Sequence, residues 1–393
     1  MRFSGFDDEW NEVKLGDIST FLDNKRIPLK EDDRKQIKGE YPYYGASGII
    51  DYVNDYIFDE ELILMGEDGA NIVTRSSKLI FLAKGKYWVN NHAHVIKADN
   101  NINQYFLSES LERINYEKYN TGTAQPKLNR EVCQKIKVKI PQFNEQNKIA
   151  NFLLVIDEKL RLLEQKYQYY QNFKKYLMQQ IFTQKLRFNF TDDWNYMNFS
   201  EIFKSVSTKK YQIKSADILD KGDFEVIDQG QDEIAGYFND KTKLCQELPI
   251  IIYGDHTTFV KFRDKPFIVG ADGVKLLIPK FNANPKYLFY ALEHFNIKPE
   301  GYKRHFSIIK KIKLPIPTLE EQNEISEIFN YIDIKLKYTK IQLQETEEFK
   351  KGLLQQMFIV RINWRCNFKL AKSPSFNKHL LILKNKIIFI IIE

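Results

Sequence analysis

The sequence predicts an α+β protein: two globular domains of mixed structure, separated by two long antiparallel coiled-coil helices and related by a pseudo-two-fold internal repeat. Three observations carry this reading. Two 42-residue segments match without a gap, and both hold a heptad apolar period. The stretches before them are mosaics of short β-like runs, small helices and glycine turns.

The repeat orders everything else. Residues 141–182 align with 317–358 at an offset of 176, with 17 of 42 positions identical. Pro141, Glu145, Gln146, Asn147, Asp157, Lys174 and Phe182 all recur. Upstream, the Phe6 to Asn11 stretch resembles Phe190 to Asn195 at an offset of 184. The second globular stretch is therefore eight residues shorter, and there the copies diverge. A duplication that keeps one half and lets the other drift suits one shared partner met twice and two different targets.

The shared halves read as helices. Ile149, Leu153, Ile156, Leu160, Leu163, Tyr167, Tyr170, Lys174, Leu177 and Ile181 alternate spacings of four and three. Ile325, Phe329, Ile332, Leu336, Thr339, Leu343, Thr346, Lys350, Leu353 and Met357 repeat the pattern. A period of 3.5 residues is a coiled-coil seam, and a polar residue on it sets register. Both copies break at the same lysine, Lys174 and Lys350. Glu and Gln just after Pro141 and Pro317 suit a first helical turn. At 1.5 Å per residue each helix is a rod of roughly 50–60 Å. Two separate core helices are the plainer alternative, but they explain neither the length nor the thin stripe.

The globular stretches show β-like runs at Leu62–Met65, Lys78–Leu82 and Leu248–Tyr253, with helical pieces near Gln104–Arg113 and Pro285–His294. The expected boundaries are a first globular domain 1–140, a helix 141–185, a second globular domain 186–316, a helix 317–360, and a tail 361–393. That tail is atypical. It has seven Lys and Arg against Glu393 alone and ends in an Ile-rich run, which suits read-through or a frame change.

Composition excludes several classes. With 43% hydrophobic and 28% charged residues the chain is neither disordered nor collagenous. Cys133, Cys245 and Cys366 are too scattered for a disulfide framework or a zinc ribbon. The acidic start does not suit a signal peptide, and no apolar run reaches about 18 residues. The expectation is a cytoplasmic protein without membrane association. The net charge of +7 resides mostly in the tail, so it does not argue for nucleic acid.

Catalytic constellations are missing. No phosphate-binding GxxxxGK[ST] or GxGxxG occurs. Asn284-Pro285-Lys286-Tyr287 lacks the second proline of an amino-methyltransferase motif and reads as a helix start. Asn91-His92-Ala93-His94 lacks a third metal ligand, and alternating His on a strand suits half-buried structure. No catalytic residue and no metal site are expected.

Polar loops in both halves instead suit phosphates and base edges: Arg and Lys pair with guanine, Asn and Gln with adenine. In the first half the candidates are Ser47, Arg75, Lys84, Lys86, Asn90, Asn91, His92, Thr123, Gln125 and Lys127. In the second they are Thr257, Thr258, Lys261, Arg263, Lys275, Lys303, Arg304 and His305. Each also fits ordinary solvated surface.

The whole resembles the specificity (S) subunit of type I restriction-modification systems. The resemblance covers about residues 1–360. It rests on the Phe-x-Asp-Glu-Trp start, Tyr41-Pro42-Tyr43-Tyr44-Gly45-Ala46-Ser47-Gly48-Ile49, Met65-Gly66-Glu67-Asp68-Gly69, Trp88-Val89-Asn90-Asn91-His92 and Thr121-Gly122-Thr123-Ala124-Gln125. The twice-present Pro-x-x-x-Glu-Gln-x-x-Ile start and Leu-x-Gln-Gln-(Ile/Met)-Phe end carry it furthest. The second copy departs from the pattern, with Gly301-Tyr302-Lys303 in place of the fuller Thr-Gly loop.

The resemblance implies two target-recognition domains reading a bipartite, asymmetric sequence in double-stranded DNA. The helices would act as a ruler and would dock two modification (methyltransferase) subunits, joined by restriction (ATP-dependent translocase/endonuclease) subunits. S-adenosylmethionine, ATP and Mg²⁺ would belong to those partners, leaving this chain non-catalytic and without a cofactor. A coiled-coil scaffold binding protein partners is the alternative. A nuclease or stand-alone methyltransferase is disfavoured by the missing motifs.

Overall fold

The computed structural model describes residues 2–359 apart from Thr123, Asn189, Ala271 and Tyr302. The tail 361–393 and the candidate Thr123 thus lie outside the described residues. The chain divides into two compact units, Met1–Lys159 with the chain from Thr346 onward, and Leu160–Glu345.

Among the described residues unit 1 holds ten strands: β1 (Asn11–Lys14), β2 (Ser19–Phe21), β3 (Lys38–Gly45), β4 (Gly48–Val53), β5 (Phe58–Asp59), β6 (Leu62–Gly66), β7 (Ile80–Ala83), β8 (Lys86–Val89), β9 (Ala93–Ala98) and β10 (Lys137–Ile140). They form an antiparallel β1-β10 pair and two four-stranded sheets, ordered β2-β9-β6-β7 and β4-β3-β8-β5. Central β6 is buried at every position, so it reads as a continuous apolar run rather than an alternating one. Leu62, Leu64, Tyr87, Val89 and Val95 pack as one core cluster. Helix α1 (Gln104–Glu112) starts at Asn103, whose side chain accepts the Phe106 N–H.

Unit 2 repeats the plan with β11 (Asn195–Asn198), β12 (Phe203–Val206), β13 (Gln212–Ile213), β14 (Phe224–Ile227), β15 (Gly236–Phe238), β16 (Ile250–Gly254), β17 (Val260–Arg263), β18 (Ile268–Gly270), β19 (Val274–Pro279) and β20 (Lys313–Ile316). The orders are β11-β20, β12-β19-β16-β17 and β13-β18-β14-β15. One edge differs between the copies. In unit 1, β5 follows the β3-β4 hairpin and pairs antiparallel with β8. In unit 2, β13 precedes β14 and pairs parallel with β18. A shared frame with an exchanged edge is what a drifting duplicate should show.

The Asn284-Pro285 helix start is confirmed: Asn284 caps a helix at Pro285–His294, with proline in its first turn. This helix, α3, lies in chain order between the long helices α2 (Phe143–Phe182) and α4 (Leu319–Leu354). Beyond Leu354 the chain widens into a π-helical turn, Gln355–Ile359.

Each unit contains part of both long helices. Within unit 2, Phe182 stacks on Phe329, while Lys174, earlier in α2, reaches Asp333, later in α4. The two helices therefore run antiparallel there. Ile149, Leu153, Ile156, Leu163, Ile181, Ile325, Phe329, Ile332, Leu353 and Met357 are all buried, as a heptad seam requires. Burial leaves these seam side chains no face to offer a partner, while Leu160, Tyr167, Leu177, Leu336 and Leu343 on the same seam are half-buried. Exposed apolar side chains on other faces of the helices in unit 2 include Leu162, Tyr169 and Tyr176 on α2, and Tyr331, Ile334 and Tyr338 on α4. Among the described residues no helix is long and apolar enough to cross a membrane.

Candidate nucleic-acid interface

In unit 1 three loops converge at one end of the central sheet. The turn after β6 (Gly66–Gly69) receives the Leu128 N–H on the Glu67 carbonyl at 2.8 Å, and the Glu67 N–H donates to the His92 carbonyl at 2.9 Å. The Gly69 N–H donates to the Pro126 carbonyl at 3.0 Å. Charge locks the same corner: Arg26 lies 2.7 Å from Glu67, Lys127 lies 3.3 Å from Glu67, and His92 lies 2.7 Å from Asp68. The loop ending at Leu128 is tightened by Asn120, whose Oδ1 accepts from the Gly122 and Lys127 N–H groups. Gly122 is required by close approach: a Cβ there would stand 1.7 Å from the Gln125 carbonyl oxygen.

Beneath this platform lies His94, 1% exposed. Its Nδ1 is 2.7 Å from Asp23 and its Nε2 is 2.7 Å from the Leu128 carbonyl. Both partners only accept, so both ring nitrogens carry hydrogen and the imidazole is positively charged. Burial opposes that charge, but the hydrogen bond to Asp23 prevails and the ring's pKa is raised to about 10. The Asp23 carboxyl is pulled the other way: burial raises it, but His94, the Val95 N–H and Arg26 bring it below the usual carboxylate range.

Unit 2 builds the equivalent corner with different side chains. The Asp255 N–H donates to the Gly273 carbonyl at 2.7 Å, and the His305 N–H to the Asp255 carbonyl at 2.7 Å. Strand β9 sets His94 opposite Met65, and β19 sets Lys275 opposite Tyr253 at the matching position. Lys275 lies 3.6 Å from Asp255. A buried imidazolium in one copy is thus a half-buried ammonium in the other.

The structure corrects several expected contact residues. Asn90 is buried, and its Oδ1 accepts the His92 N–H. Arg75 is spent on the Glu112 carbonyl and carboxylate, with its guanidinium over the Tyr116 ring. Thr258 is buried at a positive φ of 61°. Lys261 is buried and donates to the Asp228 and Asp232 carbonyls; burial lowers its pKa. Arg263 pairs with Glu225 and Glu233. His305 is fully buried, its Nε2 accepting the Glu300 N–H. These side chains hold loops in place. Lys84, paired with Glu61, and Lys86, over Tyr56, sit at the far end of the strands from the platform. Thr257 is half-buried and donates to the Gln229 carbonyl. That leaves Ser47, Asn91, His92, Gln125, Lys127, Lys303 and Arg304 exposed. The expected alternating histidines part company: His92 stands in a turn at the surface and His94 in a strand inside. Among the described residues no three His, Cys, Asp or Glu side chains come close enough to hold a metal ion.

Comparison with known proteins fits this geometry. The model of the type I restriction modification DNA specificity domain matches residues 7–169 and again 191–348. The chain belongs to the type I DNA specificity family. A specificity-subunit relative from Haemophilus influenzae is 34% identical over 149 residues, 38% of this chain and 37% of that protein. The MjaVIII specificity subunit of Methanocaldococcus jannaschii is 21% identical over 90% of this chain and 93% of its own length. The chain thus spans little over a third of one relative and nearly all of the other. The crystal structure of an S subunit from M. genitalium shares the fold, with a TM-score of 0.68 at 17% identity, over 91% of this chain and 97% of that one.

In this chain the Pro-x-x-x-Glu-Gln-Asn segment forms a clamp. Glu145 is buried and accepts from Arg2 Nε and Nη2, both at 2.7 Å. Glu321 repeats this with Arg187 and also accepts from Trp194 Nε1. Gln146 donates to the Pro141 carbonyl and accepts the Asn103 N–H, tying the start of α2 to the cap of α1. Gln322 does the same between Pro317 and Asn284. The signal was available: Arg2 and Arg187 precede equivalent acidic turns, and buried carboxylates need such partners.

Proposed function

We propose that this chain is the DNA-reading subunit of a type I restriction-modification complex. Each globular half reads one part of a bipartite, asymmetric target. The observation that carries the reading is the loop platform built twice on one topology with different exposed side chains. Asn91, His92, Gln125 and Lys127 mark it in the first half, Lys303 and Arg304 in the second. Arg, Lys, Asn and Gln are the side chains that grip phosphates and read base edges.

The long helices set the spacing between the readers. At 1.5 Å per residue the 40 residues of α2 span about 60 Å, enough to hold two readers one DNA turn (~34–36 Å) apart. Modification subunits dock on the helix faces that keep Leu162, Tyr169, Tyr176, Tyr331 and Tyr338 exposed, since aromatic side chains outside a seam suit a protein partner. S-adenosylmethionine, ATP and Mg²⁺ serve those partners and the restriction subunits, and this chain carries no cofactor of its own. The complex works in the cytoplasm.

The test is co-purification with the modification subunit, followed by sequencing of methylated sites. The expected result is one non-palindromic target with two constant parts and a fixed gap. Deleting one heptad from both helices should change the gap and keep the letters. Altered letters with an unchanged gap would contradict the ruler. A chain that captures no modification subunit would favour the scaffold.

A further inference from the structure

The geometry points to His92 as a proton-linked contact for a DNA phosphate, an inference that rests on the DNA-reading function proposed above. The ring is 51% exposed, yet it is not free to swing. Nδ1 lies 2.7 Å from Asp68 Oδ2. The backbone N–H donates to Asn90 Oδ1 at 2.8 Å, and the carbonyl accepts the Glu67 N–H at 2.9 Å. Three loops therefore present one oriented imidazole at the platform surface, and Nε2 has no protein partner among the described residues.

A carboxylate only accepts, so Nδ1 carries hydrogen. Nε2 is then a lone pair when the ring holds one proton and a donor when it holds two. A phosphate oxygen also only accepts. Held between Asp68 and a phosphate, the ring must carry both protons, and forming the contact takes one from solvent. Histidine is the side chain that changes charge near neutrality, and only the doubly protonated ring makes this contact.

The neighbouring charges leave room for that extra proton. Asp68 is the group in direct contact. Glu67, on the same turn, is occupied by Arg26 and Lys127. Arg26 also donates to the Asn91 and Ala93 carbonyls. On β9 the His94 ring is engaged with Asp23. Three cations thus face three carboxylates, and a second proton on His92 makes the platform net positive. The contact belongs to the first half alone: the carbonyl that receives the equivalent turn N–H in unit 2 is that of Gly273, which has no side chain. A phosphate contact positions the protein without reading sequence.

The experiment measures affinity of the chain, assembled with its modification subunits, for target and non-target duplexes between pH 6 and 8.5 at several salt concentrations. Wild type should lose about five- to tenfold in affinity as pH rises, equally on both duplexes. Its log–log salt slope should fall by about one, as for one lost phosphate contact. His92→Gln should bind weakly with a flat profile, and His92→Lys tightly with a flat profile. Asp68→Ala should weaken binding to both duplexes alike, because the ring loses the acceptor that orients it. A pH profile that His92→Gln leaves unchanged overturns the contact. A pH effect confined to the target duplex overturns it in favour of a base. Failure of wild type to bind either duplex refutes the DNA-reading function itself.

Discussion

Lys174 lies 2.9 Å from Asp333, and the residues at the repeat-related positions, Lys350 and Asp157, form the same pair. Each lysine also faces a glutamate from the short helix of its unit: Lys174 faces Glu293 and Lys350 faces Glu109. A tyrosine completes each set, Tyr290 donating to Asp333 and Tyr105 to Asp157. The polar break in the heptad seam is therefore a junction joining two long helices and a globular half.

Replacing Lys350 by Met should destabilise unit 1 by about 1–3 kcal/mol. Removing one partner strands the carboxylates, and partial solvation of Asp157 moderates the cost. Hydrogen exchange should show the loss around α1 and the first half of α2, with unit 2 unaffected. The Lys174→Met variant should give the converse pattern. A uniform loss across both units would contradict the assignment.

His94 predicts an alkaline weakness. Its pKa is raised to about 10 in the fold against ~6.5 for an unperturbed histidine. A raised folded value means the stabilisation is complete below ~6.5 and is lost as pH rises through about 10. Denaturation from pH 6 to 10 should show a falling midpoint for unit 1. His94→Gln should be less stable near neutrality and should lose less on going to pH 10. Parallel curves would rule out the charged imidazole.

The Glu321 clamp should be worth more than its exposed appearance in sequence suggests. Glu321 is fully buried and satisfies Arg187 and Trp194 together. Glu321→Ala should cost about 2–4 kcal/mol, since it leaves a guanidinium and an indole N–H unpaired. Denaturant unfolding of Glu321→Ala beside the double Glu321→Ala/Arg187→Ala would measure it. The double variant should recover part of the loss.

Phe358 should matter to the beginning of the chain. It packs on Trp10 and Phe106, with Arg113 over its ring. Phe358→Ala should lower the stability of unit 1 by roughly 2–4 kcal/mol. Phe182→Ala, 176 residues earlier, should instead loosen Tyr287 and Phe329 in unit 2. Proteolytic nicking of each variant would show which half opens.

Several elements were legible because their signals are local. The heptads of α2 and α4, the Asn284-Pro285 cap and the apolar run of β16 all appear in the structure where spacing and chemistry set them. The contact residues were less legible. Lys261 and Arg263 look like phosphate binders in sequence, but carbonyls and carboxylates from residues 225–233 consume them. His305 and Asn90 sit in polar loops and are nonetheless buried.

The amino-acid order alone determined the duplication, the two heptad rods, their caps and the placement of short strands around glycine turns. These are one-dimensional properties, written in spacing along a single segment. Only the tertiary structure decided which polar groups are consumed inside, which loops meet at the platform, and which acid each seam lysine takes. A charged side chain is neutral to the fold until distant segments remove its water and supply a partner, and no local pattern specifies where that happens.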